Sequence, residues 1–420
     1  MTYRVLDKDT LGEYLVSIKS VADYFNGETD FDITEVGDGN LNYVFKVRSI
    51  ADPTKAVVLK QAVPYLRMVG EAWPLSRDRM SFEIRAQKMY NKLVPQLVPK
   101  VFHSDEEMSV LVMQCPDNHI ILRLGMIDGI VYPKAAQDMG YFLAETLFKT
   151  SSFAMDSIER RKLMSEFVLN TELCKLTEEF IFTFPYMQHD SNYSNPPTNE
   201  WAKENICADS EYKLGVLGLK NRFITKTDAL LHGDFHSGSL MVNTDESYVI
   251  DMEFAFFGPI GFDVGKILAN FFLCHTAHYA INGGNAEYQA WLLDEAFTIL
   301  SVFEKRFREL WEAQEESAML TAGLLNETEL KTYRDAVMLE ILQDTIGYAG
   351  CSMARRTLGI AGVADIRDIE DTQVRSALEV CNLKLSKALI SAHKSINDKD
   401  QFASLVRSFF ADCSFEFQKS

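Results

Sequence analysis

Apolar and polar positions change rhythm several times along the chain. Residues 31–36, "FDITEV", read as a strand. Over 41–48, Leu41, Tyr43, Phe45 and Val47 are set against Asn42, Lys46 and Arg48, the pattern of a half-buried strand. Gly37-Asp38-Gly39-Asn40 makes the turn between the two. Ala51-Asp52-Pro53-Thr54 makes the next, and 56–62, "AVVLKQA", predicts a third strand. From 78 to 93 the spacing lengthens. Phe82, Ala86, Met89 and Leu93 recur every three or four residues, which predicts a helix with Glu83 beside its apolar row. "MSVLVMQC" at 108–115 is another apolar strand, ended by Pro116-Asp117-Asn118. Beyond it helices are predicted over 135–151, 158–169, 292–313, 327–348 and 371–395. A polar loop is expected at "MQHDSNYSNPPTNEW" and a short hairpin arm at 244–253. The predicted fold class is α+β and bilobal: a small β-rich lobe over 1–115, a hinge at Cys115, and a large mainly helical lobe over 116–420.

Composition narrows this picture more by exclusion than by suggestion. With 420 residues the chain can form two or three domains. Its formal net charge of −18 and the lack of a Lys/Arg-rich run argue against nucleic acid and against anionic membrane surfaces. The N-terminus carries no apolar signal segment, and no apolar run approaches the ~20 residues of a membrane span. The greasiest stretch is Phe271-Phe272-Leu273-Cys274, bracketed by Lys266 and His275. Seven cysteines, odd in number and never spaced C-x-x-C, read as reduced thiols of a cytoplasmic protein.

Carboxylates are bunched in the middle of the chain. "LHGDFHSGSLMV" carries Asp234, and Asp251-Met252-Glu253 follows the apolar Tyr248-Val249-Ile250. Acids placed after a buried strand need a positive partner. Mg²⁺ suits them, since it takes hard oxygen ligands from one or two carboxylates plus phosphates. Asp234 would then orient and deprotonate an attacking hydroxyl, the division of labour that phosphoryl transfer needs. His232 and His236 are four apart, but glycine follows the first and the setting is a turn, so hydrogen bonds that shape the loop are expected rather than a zinc pair. Lys60, inside "VVLKQA", is either an outward-facing lysine or a cation for nucleotide phosphates, with Glu83 as the carboxylate that positions it. Glycine-rich turn, strand lysine, helix glutamate, loop aspartate and metal-site acids follow in the order of a protein-kinase-like fold.

"HGDFHSGS" followed by "IDMEFAFFGPIGFDVG" resembles the catalytic and metal segments of the S-methyl-5-thioribose kinases, of the protein-kinase-like and aminoglycoside phosphotransferase superfamily. "EVGDGNLNYVFKV", "GEAWPLSRDR", "HIILRLGMIDGIVYPKAA" and "SMARRTLGIAGVADI" extend the likeness over most of the chain. The resemblance implies ATP as donor, Mg²⁺ as metal and 5-methylthioribose as acceptor, phosphorylated on its 1-hydroxyl in methionine salvage by a homodimer. It implies Asp234 as catalytic base and Asp251 and Glu253 as metal acids, with Met252 between them. Lys60 resembles the phosphate-binding lysine and Asn40 the glycine-loop asparagine. Gln114, Cys115 and Pro116 fall on the adenine hinge, and Arg355 and Arg356 resemble the arginine pair at the sugar and the moving phosphate. The loop around Trp73 resembles one that closes over the nucleotide. The rivals are a kinase of choline, homoserine or another small hydroxyl compound, and a catalytically silent nucleotide-binding module.

Overall fold

Alternation fails inside the Ala56–Ala62 strand, where Leu59, Lys60 and Gln61 are all buried. The cause is cover on both faces. Leu59 packs with Phe45, Val47, Val57, Val110 and Val112 under two helices, Lys8–Val16 and Lys19–Tyr24, that the periodicity did not reveal. On the opposite face Ala62 and Leu111 meet Met80 and Ile84 of the Arg79–Leu93 helix. The computed structural model describes residues 3–36, 41–67, 69–193, 195–281, 284–413 and 415; the predicted turn 37–40, with Asn40, lies outside them.

The strands form an antiparallel five-stranded sheet in the order Phe31–Glu35, Asn42–Ser49, Ala56–Ala62, Val110–Gln114, Val101–Asp105. The last of these was not predicted. Lys60 lies opposite Val44 on one side and Leu111 on the other, at the centre of the sheet. The chain then passes through Cys115 and Pro116 into the mainly helical part, so the architecture is α+β.

Two small ladders inside the helical part place its loops. Leu240–Val242 pairs with Ser247–Val249 and with Ile120–Ile121, so the predicted hairpin arm starts earlier than expected and turns at 243–246. Ala229–Leu231 pairs with Phe256–Gly258, Leu231 opposite Phe256. The segment 232–234 leaves the first strand of that pair, and 250–254 enters the second. The pairing therefore brings both acidic segments to one end of the ladder.

The helices behind them are long and tightly joined. Gly261–Ala277 is buried on every side, which is why it shows no apolar period. Glu327–Leu358 begins with a capping box between Asn326 and Glu329 and runs ten residues past the predicted end, through the small-residue stretch "AGCSMA" that hides its spacing. The two helices touch where glycine allows it. A Cβ on Gly265 would lie 2.5 Å from the Thr345 carbonyl oxygen, and one on Gly261 2.6 Å from the Thr345 nitrogen. Pro196–Ala202 is a helix that begins inside the expected polar loop and ends one residue past it. Among the described residues no helix is long and apolar enough to cross a membrane, and all seven cysteines are free thiols.

Candidate active site

The acidic segments face the Arg79–Leu93 helix and the central sheet. Lys60 is 3% exposed, not the outward-facing lysine that the sequence allowed. Its Nζ donates to Glu83 Oε1 at 2.8 Å and to Asp251 Oδ1 at 2.6 Å. Glu253 is held through Oε2 by the Asn42 amide at 2.8 Å, with Arg79 Nε 3.7 Å away. Arg79 in turn donates to Asn42 Oδ1 at 3.0 Å. Asn170 secures the turn itself, its amide donating to the carbonyls of Glu253 and Ala255 at 2.9 Å each.

Three carboxylates therefore surround one lysine, with one guanidinium nearby. Burial pushes Glu83 up to about 7 against the pull of Lys60, and Glu253 and Asp251 add to the rise. Burial also raises Glu253, with Lys60 and Arg79 opposing. For Lys60 the three acids outweigh burial and hold the ammonium above its ordinary range. The local charge is in acid excess. Neither Asp251 Oδ2 nor Glu253 Oε1 has a hydrogen-bond partner among the described residues, and the Asp251 side chain is 47% exposed. No cage of three or more His, Cys, Asp or Glu side chains occurs among them. Mg²⁺ does not need one: two carboxylates with free oxygens and surplus negative charge fit an ion that takes the rest of its shell from phosphates and water. Asp251 adopts a left-handed backbone, φ +65°, a conformation that a short polar side chain tolerates and that aims its carboxylate beside Lys60. Met252, between the two acids, is fully buried in the hydrophobic core.

Asp234 sits in a different environment. Gly233 before it has φ +80°, and a Cβ there would fall 2.1 Å from the Phe254 carbonyl oxygen, so only glycine lets the two acidic segments approach. The backbone nitrogens of His232 and Gly233 donate to Asp263 at 2.7 and 3.1 Å, which pins the loop to the Gly261–Ala277 helix. His232 Nε2 meets the Ile250 carbonyl at 2.8 Å, tying one acidic segment to the other. His236 Nδ1 accepts from the Gly238 amide at 2.8 Å and faces Arg123 Nη2 at 3.1 Å. Its proton is thus placed on Nε2, directed at Asp234 Oδ2 3.1 Å away. Lys266 Nζ donates to Asp234 Oδ1 and, at 3.1 Å, to the Gly233 carbonyl. Burial works to raise Asp234, but Lys266, then His236 and Arg355, hold the carboxyl well below the usual range. It is therefore held as an anion.

Arg355 and Arg356 come from the last turn of the Glu327–Leu358 helix. They are not solvated helix-end residues: Arg356 is 5% exposed, and its Nη2 lies 4.0 Å from Asp234 Oδ1. Nε and Nη1 of Arg355 and Nε and Nη2 of Arg356 are buried without a hydrogen-bond partner among the described residues. Burial depresses both guanidiniums. Such donors suit an anionic, oxygen-rich ligand. Gln114 ends the central sheet, its amide nitrogen donating to the Tyr248 hydroxyl at 3.3 Å, and Cys115 and Pro116 follow as the link between the two parts. Trp73 lies on the Gly70–Pro74 strand, its ring 6.3 Å from that of Phe180. Pattern and spacing assigned no role to Asn42, Arg79, Arg123, Asp263 or Lys266. The one hint was a lysine at the edge of the most apolar run.

The model of the phosphotransferase enzyme family matches residues 32–296. A curated methylthioribose kinase from Escherichia coli O45:K1 (strain S88 / ExPEC) is 37% identical over 95% of this chain and 96% of its own length. One from Geobacillus thermodenitrificans (strain NG80-2) is 40% identical over 88% and 89%. Among solved structures, a glucosamine kinase in complex with glucosamine, ADP and inorganic phosphate superposes with a TM-score of 0.50 at 12% identity, over 93% of this chain and 88% of that one, a likeness of fold. With near-complete coverage at that identity, and with the carboxylates gathered as described, the chain belongs to the phosphotransferase enzyme family and, within it, to the methylthioribose kinases.

Proposed function

We propose that the protein transfers the γ-phosphoryl group of ATP to the 1-hydroxyl of S-methyl-5-thio-D-ribose, giving the 1-phosphate and ADP in methionine salvage. The observation that carries this reading is the setting of Asp234: an anionic carboxylate within 4.0 Å of a buried guanidinium that has free donors, joined by the His232–Ile250 bond to acids that fit a metal. Asp234 takes the proton of the 1-hydroxyl as its oxygen bonds to the γ-phosphorus and the bond to the β–γ bridging oxygen breaks. Arg355 and Arg356 meet the negative charge that builds on the moving phosphoryl oxygens. Lys60, held by Glu83, takes the donor's phosphates. Gln114, Cys115 and Pro116 meet adenine, and Asn40 serves as the glycine-loop asparagine. Residues 1–115 serve as the nucleotide lobe and 116–420 as the catalytic lobe. Asp251 and Glu253 would hold Mg²⁺, which neutralises phosphate charge when bound. The likeness to this family also supports a cytoplasmic homodimer, and light scattering tests the dimer.

ADP release with methylthioribose, ribose, choline and homoserine as acceptors tests the reaction. Methylthioribose is expected to be turned over with the highest kcat/KM. A clear preference for one of the others replaces the substrate. If wild type and Asp234→Asn are equally inactive on every acceptor, the protein is a nucleotide-binding module.

A further inference from the structure

Lys266 is in direct contact with Asp234, and the reading above leaves it without a task. It is 2% exposed, on a helix buried on every side, with its ammonium 5.1 Å above the Phe262 ring. Packing alone would be met by methionine, and a buried ammonium is costly unless it is paired. Here it is paired twice, with the Asp234 carboxylate and with the carbonyl of Gly233, the residue that lets the two acidic segments approach. Its helix is seated without slack, because Gly261 and Gly265 bring it against the backbone of the helix that carries Arg355 and Arg356. The ammonium and the two guanidiniums therefore keep fixed positions around one carboxylate.

We propose that Lys266 is a positioning residue for the transfer reaction: its ammonium anchors one oxygen of Asp234, keeps that carboxylate anionic, and leaves His236 to orient the other oxygen toward the acceptor hydroxyl. The inference rests on the reading of Asp234 as general base. When Asp234 takes the hydroxyl proton, Lys266 keeps its own, and the positive charge beside the loop stays constant through the step.

The groups facing this pair are known. Asp234, His232 and His236 approach from the loop, Arg355 and Arg356 from the Glu327–Leu358 helix, Arg123 from Leu122–Ile127, and Asp263 from the same helix as Lys266. Burial lowers Lys266 to about 8, Asp234 pulling it up and Arg355 and Arg356 adding to the fall. His232 is held at about 4 by burial and His236 well below its usual range, so neither titrates where Lys266 does. Asp263, raised to about 7 by burial, titrates just below it. It is present in every variant and so cancels in a comparison of them.

The test compares wild type, Lys266→Met and Lys266→Arg in kcat/KM for methylthioribose against pH, and follows the Asp234 carboxyl by ¹³C NMR, assigned with Asp234→Asn. Wild type is expected to lose activity as pH rises through about 8. Lys266→Arg should keep its activity through that range, because a guanidinium stays charged. In Lys266→Met the acid limb and the carboxyl titration should both move up by about one unit or more, with the KM for ATP unchanged. Identical limbs in wild type and Lys266→Arg, or an Asp234 titration unmoved by loss of the lysine, overturn the proposal. If Lys266→Met does not fold, the arginine variant alone decides between these outcomes. The NMR arm needs no turnover. A wild type idle on methylthioribose but with a coupled Asp234–Lys266 titration sinks the substrate and keeps the pair, and an active wild type without coupling does the reverse.

Discussion

The two halves of the site are unbalanced in opposite directions. Around Lys60 three carboxylates share one ammonium and one guanidinium. Around Asp234 one carboxylate faces Lys266, Arg355 and Arg356, with Arg123 behind His236. On the proposed reading, a divalent cation balances the first half and the transferring phosphoryl group the second. Their acids Asp234, Asp251 and Glu253 lie on the single stretch from His232 to Glu253, held together by the His232–Ile250 bond and the Leu231–Phe256 pairing.

Breaking one half at a time tests whether they are separable. Asp234→Asn should cut turnover by on the order of 10²-fold or more while MgATP affinity stays within error; isothermal titration beside an ADP-release assay measures both, and a matching loss of nucleotide affinity would merge the two halves into one. Asp251→Ala should remove the magnesium-dependent part of ATP binding, about tenfold or more, with sugar affinity retained. Equal ATP affinity with and without Mg²⁺ in wild type would contradict that assignment. Arg356→Ala removes a buried donor from the acceptor side and should cost about tenfold in kcat/KM for the sugar, with ATP's KM little changed; kinetics with each substrate varied in turn check the asymmetry. Gly265→Ala drives a methyl into the Thr345 carbonyl and should destabilise by about 1–3 kcal/mol. A thermal melt gives its size, and because the displaced helix carries Lys266, the loss of activity should be greater for the sugar than for ATP.

Much of this arrangement is legible in the sequence wherever one face of an element is wet. The helix beginning at Arg79 repeats apolar residues every three or four positions, which puts Glu83 beside that row as a candidate partner of Lys60. Periodicity fails where burial is complete. The Gly261–Ala277 helix is buried all round, and with no period to mark a helix there Lys266 shows only as the edge of a greasy run. The 32-residue helix from Glu327 loses its signal at Ala349, although the arginines it delivers lie six and seven residues further on. Asn42 and Arg79 are out of reach for another reason. Each lies in an ordinary strand or helix start, and only tertiary packing brings them to Glu253.

The left-handed backbone at Asp251 has a consequence for descent. Few residues sit at such dihedrals cheaply: glycine first, then asparagine and aspartate. Of those three, only aspartate supplies an anion. Mutational drift at this codon therefore has an easy exit to asparagine, one base away, that preserves the turn and discards the charge. A lineage released from selection for catalysis would pass through that exit early and leave a well-folded pseudoenzyme.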